Sequence, residues 1–172
     1  MNTGTRITLA LLAASGLLTA VPAYAGVAGP ASVAVQLTIE NSCSFTGSGT
    51  LDFGTRTAGV SAANIDAQST GLSLNCTGDS ATASINVSGG NNLLANNRRL
   101  RLGAAATFTP YELYQDAGRT TKFDPATFQT ISGGLTTGTT AIVVYGRIPT
   151  GTLLVNGNGI NFTDTVQVTV NF

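Results

Sequence analysis

From residue 33 to the C-terminus the chain keeps returning to one pattern, apolar side chains at every second position with Thr, Ser, Gln or Asn between them. A strand sends successive side chains to opposite faces, whereas an amphipathic helix needs apolar residues three and four apart. Period two therefore directs the chain after residue 26 to sheets with one buried face, and helical periodicity is hard to find there. The last segment carries the pattern most clearly: Phe162, Val166, Val168, Val170 and Phe172 share one parity, and Thr165, Gln167, Thr169 and Asn171 take the other. The spacing predicts one strand running to the final residue. Val33, Val35, Leu37 and Ile39 alternate with Ala34, Gln36, Thr38 and Glu40 in the same way.

Between these ends further strands are expected. Leu72 and Leu74 lead to Cys76, and Ala83, Ile85 and Val87 lead to the turn Gly89-Gly90-Asn91-Asn92, with Asp79-Ser80 turning the first into the second. Leu100 and Leu102 sit among Arg98, Arg99 and Arg101, which suits a solvated strand near a sheet edge, where charge discourages pairing. Tyr111 and Leu113 face one way and Glu112 and Tyr114 the other, giving a half-buried tyrosine on each side. Ala141 to Pro149 reads as one strand, followed by the turn Gly157-Asn158-Gly159. Many short strands separated by Gly- and Asn-rich turns predict an all-β antiparallel sandwich.

The N-terminus is read as a secretory signal over residues 1–25. Arg6 supplies the positive start, Ile7 to Val21 an apolar core, and Ala23-Tyr24-Ala25 the small-x-small cleavage pattern. The apolar core is shorter than the ~20 residues a spanning helix needs. Gly26 to Ser32 is small, Gly- and Ala-rich and flexible in character, so residues 26–40 form a candidate arm ahead of a body over 41–172. Export would place Cys43 and Cys76, the two cysteines of the chain, in an oxidising compartment. One disulfide is expected, contributing roughly 3 to 4 kcal/mol; two buried free thiols are the alternative.

Composition narrows the chemistry. Charged residues make up 9% of the chain, eight basic against eight acidic, and histidine is absent. A Ser-His-Asp triad, a Cys-His pair and a His-containing zinc site are thereby excluded. The balanced charge lacks the basic patch that nucleic acid requires. Asp52, Asp66, Asp79, Glu112, Asp116 and Asp124 are dispersed and fit no calcium loop, and there is no reason to pair any two for glycoside hydrolysis. Neither Gly47-Ser48-Gly49 nor Gly157-Asn158-Gly159 continues into a phosphate-binding helix. No catalytic, cofactor-binding or metal-binding residue is assigned, and no enzyme activity is expected.

Taken in order, several segments resemble a known family. These are Val33-x-Val35-x-Leu37-x-Ile39 followed by Cys43, Leu51-Asp52-Phe53-Gly54, Leu72-Ser73-Leu74-Asn75-Cys76, Tyr111-Glu112-Leu113-Tyr114-Gln115-Asp116, Val144-Tyr145-Gly146-Arg147-Ile148-Pro149 and the ending Thr163 to Phe172. Together they resemble the spore coat U domain, the secreted pilin domain of archaic, Csu-type chaperone–usher pili. One departure is visible: Gly159-Ile160-Asn161-Phe162 places two extra residues before the final Thr-Asp.

The resemblance implies an immunoglobulin-like sandwich lacking its last strand, with Val33, Val35, Leu37 and Ile39 as a donor strand for the next subunit. Phe162, Val166, Val168, Val170 and Phe172 would then border the acceptor groove. It further implies a periplasmic pilus chaperone, an outer-membrane usher, and neighbouring copies or related pilins as partners in a head-to-tail fibre. The implied function is a structural pilus subunit at the cell surface, in adhesion and biofilm formation. A spore or cell-surface coat protein assembled in the same way, and a soluble secreted carbohydrate-binding sandwich, are the alternatives. Alternation alone favours Val33 to Ile39 as the first strand of a complete monomer, because it reports a buried face and not whose core buries it; the resemblance reverses that preference.

Overall fold

The computed structural model describes residues 32–172; the expected signal segment, and the arm as far as residue 31, lie outside them. Thr38–Phe172 form one compact unit, and the described residues 32–37 fall outside it. Fourteen strands follow one another without a helix among the described residues: β1 Cys43–Thr46, β2 Thr50–Leu51, β3 Gly59–Val60, β4 Ile65–Thr70, β5 Ser73–Cys76, β6 Ser84–Val87, β7 Arg98–Leu102, β8 Phe108–Tyr114, β9 Gln129–Thr130, β10 Gly138–Ala141, β11 Tyr145–Ile148, β12 Leu153–Leu154, β13 Phe162–Thr163 and β14 Val168–Asn171. The all-β class is as the alternation predicts.

One curved sheet has the order β13-β7-β8-β11-β4-β2. Two three-stranded sheets, β1-β5-β10 and β14-β6-β9, complete the sandwich, and β12-β3 make a small outlying pair. The inward faces meet in one core that draws Leu74 and Cys76 from β5, Ile85 and Val87 from β6, Tyr111 and Leu113 from β8, and Ile148 from β11. Full burial of a side chain such as Leu74 or Val87 stabilises by roughly 1.5 to 3 kcal/mol.

Three expected elements change sheet part-way. The stretch Ala141 to Pro149 is divided between β10, which pairs with β5, and β11, which pairs with β4. Residues 65–76 and 138–148 thus remain antiparallel partners while both cross from one sheet to another. Their register shifts by one residue at the bend, from Tyr145 opposite Gln68 to Ala141 opposite Ser73. Ser69 fills the gap: its N–H donates to the Val144 carbonyl and its Oγ accepts from the Val144 N–H, both at 2.8 Å. Such bends turn the corner of a sandwich.

The expected terminal strand divides likewise. Phe162 lies opposite Leu102, whereas Val168 lies opposite Val87 in a different sheet. The Asp79-Ser80 hairpin is the third case. β5 and β6 do not pair; the Asp79 carboxylate instead accepts from the backbone N–H (2.6 Å) and hydroxyl (3.0 Å) of Thr137, and the link arches between sheets.

Two further expectations are corrected by burial. Arg98 is only 4% exposed rather than part of a solvated edge. Its guanidinium donates to the carbonyls of Val87, Ser88 and Phe123, joining β6 to β7 across the interior. Tyr111 and Tyr114 are both buried, not half-buried.

Candidate functional site

β1 and β14 each have one partner, β5 and β6 respectively, and among the described residues no strand pairs with the other edge of either. Both contribute to the wall of one cleft of about 450 Å³, β1 through Phe45 and β14 through Val168. Leu51, Leu72, Leu100, Leu113 and Val144 add an apolar lining. A cleft bordered by two unpaired main-chain edges and lined with aliphatic side chains has the chemistry of a strand acceptor: carbonyls and N–H groups along the rim, hydrophobic contacts beneath.

The residues singled out from the terminal alternation separate here. Val166 and Val168 line the cleft. Val170 is half-buried and packs against the core, Phe162 lies in β13 beside β7, and Phe172 is exposed at the chain end. Val33, Val35, Leu37 and Ile39 belong to no strand and are 82 to 90% exposed.

Asp164 has the same parity as the valines, and the apolar pattern passed over it. Its Oδ2 accepts from the Tyr111 hydroxyl at 2.7 Å, and its Oδ1 from the Asn91 N–H at 2.9 Å and the Asn92 side-chain amide at 3.1 Å. Gly90 makes room for it: a Cβ there would sit 2.1 Å from Asp164 Oδ2, and the positive φ of 78° also favours glycine. Burial, reinforced by the hydrogen bond to Asp164, pushes the Tyr111 hydroxyl far above its usual pKa. Ser69, Tyr111, Asp164 and Thr165 together form the polar part of the cleft lining. The signal in the sequence was the interruption itself, a single acidic residue at an inward position of an otherwise apolar alternation.

The entry to β1 is fixed at several points. Cys43 and Cys76 lie opposite one another and form the expected disulfide. Next to it, the Thr77 N–H donates to the Ser42 carbonyl at 2.8 Å, the Ser42 N–H donates to Thr77 Oγ1 at 3.2 Å, and the Asn41 amide donates to the Asp79 carbonyl at 2.7 Å.

Residues 30–169 match the family model of the Spore Coat Protein U domain. The chain belongs to this family. No curated protein matches the sequence. The spore coat U match takes in the exposed Val33–Ile39 segment as well as the cleft residues and the first half of β14, so the family unit includes both. The family is one of exported pilus and coat subunits, and the chain has the general role of a structural subunit.

Among the described residues no three His, Cys, Asp or Glu side chains gather as metal ligands. The ion pairs lie elsewhere. Arg147 grips Asp66 with two bonds of 2.8 and 2.9 Å, Arg119 approaches the same carboxylate at 3.4 Å, and Lys122 reaches Glu112 at 2.5 Å. The hydrogen bonds from Arg147 hold Asp66 below the usual carboxylate range. Burial and the bond to Glu112 push Tyr114 up to about 12.

Proposed function

We propose that this chain is a pilin of the archaic, Csu type that polymerises by donor-strand exchange. In this reading Val33, Val35, Leu37 and Ile39 of one subunit enter the cleft of the next and run between β1 and β14, joining the two three-stranded sheets through one inserted strand. The observation that carries the reading is the cleft itself, apolar over most of its lining and bordered by two strands that are each paired along one edge alone among the described residues. The exposed alternation of the segment from Val33 supplies a matching occupant from a neighbouring copy. Four buried aliphatic side chains provide roughly 6 to 12 kcal/mol before the entropy of ordering the strand is subtracted. The contact is head to tail and does not close on itself, so it can continue as a fibre.

Before assembly the same cleft would be occupied by a strand from a periplasmic chaperone, and an outer-membrane usher would be the place of exchange. Residues 1–25 act as the export signal in this scheme, and the finished fibre serves surface adhesion and biofilm formation. Electrophoresis of purified surface material without heating tests the reading. Strand-exchanged fibres should run as a ladder that collapses to one band on boiling; a single unheated band at monomer size would overturn it. The family's description also favours a coat as the destination of the same polymer, and electron microscopy of the cell surface distinguishes filaments from a continuous layer.

A further inference from the structure

An inserted Val-x-Val-x-Leu-x-Ile strand poses a problem of register. Its four branched side chains repeat at intervals of about 6.6 to 6.8 Å, and the wall of the cleft presents aliphatic side chains at alternate residues, Val166 and Val168. A slip of two residues therefore places aliphatic against aliphatic again, and an alternation this uniform fixes its register weakly. Something other than the apolar contacts must set the end point. The one acidic side chain in the cleft lining, Asp164, stands two residues before Val166.

We propose that Asp164 is the register stop of this cleft, the specificity-determining residue that ends the track available to an aliphatic side chain of the inserted strand. The inference rests on the strand-exchange reading above. Asp164 is suited to the task because it cannot swing aside. The Tyr111 hydroxyl fixes one oxygen, the Asn91 N–H and the Asn92 amide fix the other, and the missing side chain of Gly90 lets the turn close against it. An aliphatic group pushed one step further would strip water from this carboxylate without offering it a donor, a cost that the preceding positions, lined by valines, do not carry. The stop thus acts against the wrong register and adds nothing to the right one.

Site-specific cross-linking reads the register directly. In subunits carrying V168C, a second cysteine is placed in turn at donor positions 33, 35, 37 and 39, and fibres are oxidised and separated under denaturing conditions. With Asp164 intact, one donor position should cross-link at least about tenfold better than its neighbours two residues away. D164A should bring two adjacent positions to within about threefold of each other, and the isosteric D164N, which keeps a polar end, should retain one position. A single dominant position in D164A fibres would overturn the proposal. Should D164A fail to fold, Y111F keeps the carboxylate but removes a donor that fixes it, and the same loss of discrimination is expected; an unchanged ratio in Y111F overturns the stop equally. Absence of a cross-link at every position with Asp164 intact would instead count against strand exchange itself.

Discussion

The two broad faces of this sandwich are built for opposite purposes. On the outside of the six-stranded sheet, β8 and β11 are paired along both edges, and their outward side chains carry Glu112, Tyr114 and Arg147, with Asp66, Arg119 and Lys122 beside them. Each of these strands has a neighbour on either side, and the charges lie on the solvent side. Around the cleft the reverse holds: β1 and β14 are each half-paired, and the lining is apolar except at Ser69, Tyr111, Asp164 and Thr165. With 16 charged residues in the chain, their placement matters more than their number. Charge gathers on the fully neighboured strands, and the half-paired edges border the lining in which it is scarce.

Substitutions that separate the two faces should differ in kind as well as in size. The largest effect is expected from the V35D/L37D double variant, which puts two charges on the face of the arm that would enter the cleft. Fibres should vanish from the unheated ladder while chaperone binding and the melting temperature of the body persist; undiminished fibres would contradict strand exchange. Next comes the disulfide. C43S/C76S should lower unfolding stability by roughly 3 to 4 kcal/mol in denaturant titration.

R98M should follow at about 2 to 3 kcal/mol, because three interior carbonyls lose a charged donor while the volume is nearly kept. A loss below about 0.5 kcal/mol would mean that water replaces the guanidinium. The smallest effect belongs to the charged face. D66N should cost less than about 1 kcal/mol, since this pair is open to solvent. Its pH dependence has a definite sign. Asp66 is held below its ordinary value of 3.8, so the unfolded state binds the proton first as pH falls. The contribution is therefore present above about pH 4 and fades below it. Melting curves of the parent protein and D66N should converge in acid and run parallel at neutral pH, where the absence of histidine leaves no side chain of ordinary pKa to titrate.

Much of the fold was readable from parity. Half-burial recurs at Phe162, Val166, Val168 and Val170, and Leu74, Cys76, Ala83, Ile85 and Val87 all point into the core as their alternation requires. What parity does not encode is the partner. Residues 141–149 keep their alternating character while crossing from β5 to β4, because both sheets bury the same side of the chain. The cleft was foreseeable only from one of its walls, the terminal alternation. The other wall, β1, is four residues long and mostly exposed, a pattern with little hydrophobic signal. Asp164 and Arg98 escaped for a related reason. Their meaning depends on carbonyls, amides and a hydroxyl brought close by folding, whereas periodicity weighs only neighbours along the chain. Arg98 in particular reads as surface until Val87, Ser88 and Phe123 are seen to surround it.

The way the chain enters β1 has a mechanical consequence. A pull on the residues ahead of Asn41 falls on an edge strand held only by β5, the arrangement in which hydrogen bonds break one pair at a time from the loaded end, like a zip. The bonds of Asn41 to Asp79 and of Ser42 to Thr77 would open first, and the next pair, Cys43 with Cys76, is covalently bonded. Tension therefore bypasses β1 and enters β5, which is flanked on both sides by β1 and β10. Peeling β1 alone from that end is thereby blocked, and opening the body there means separating β5 from β10 as well, so the bond ties the edge strand to its neighbour at the point where load arrives.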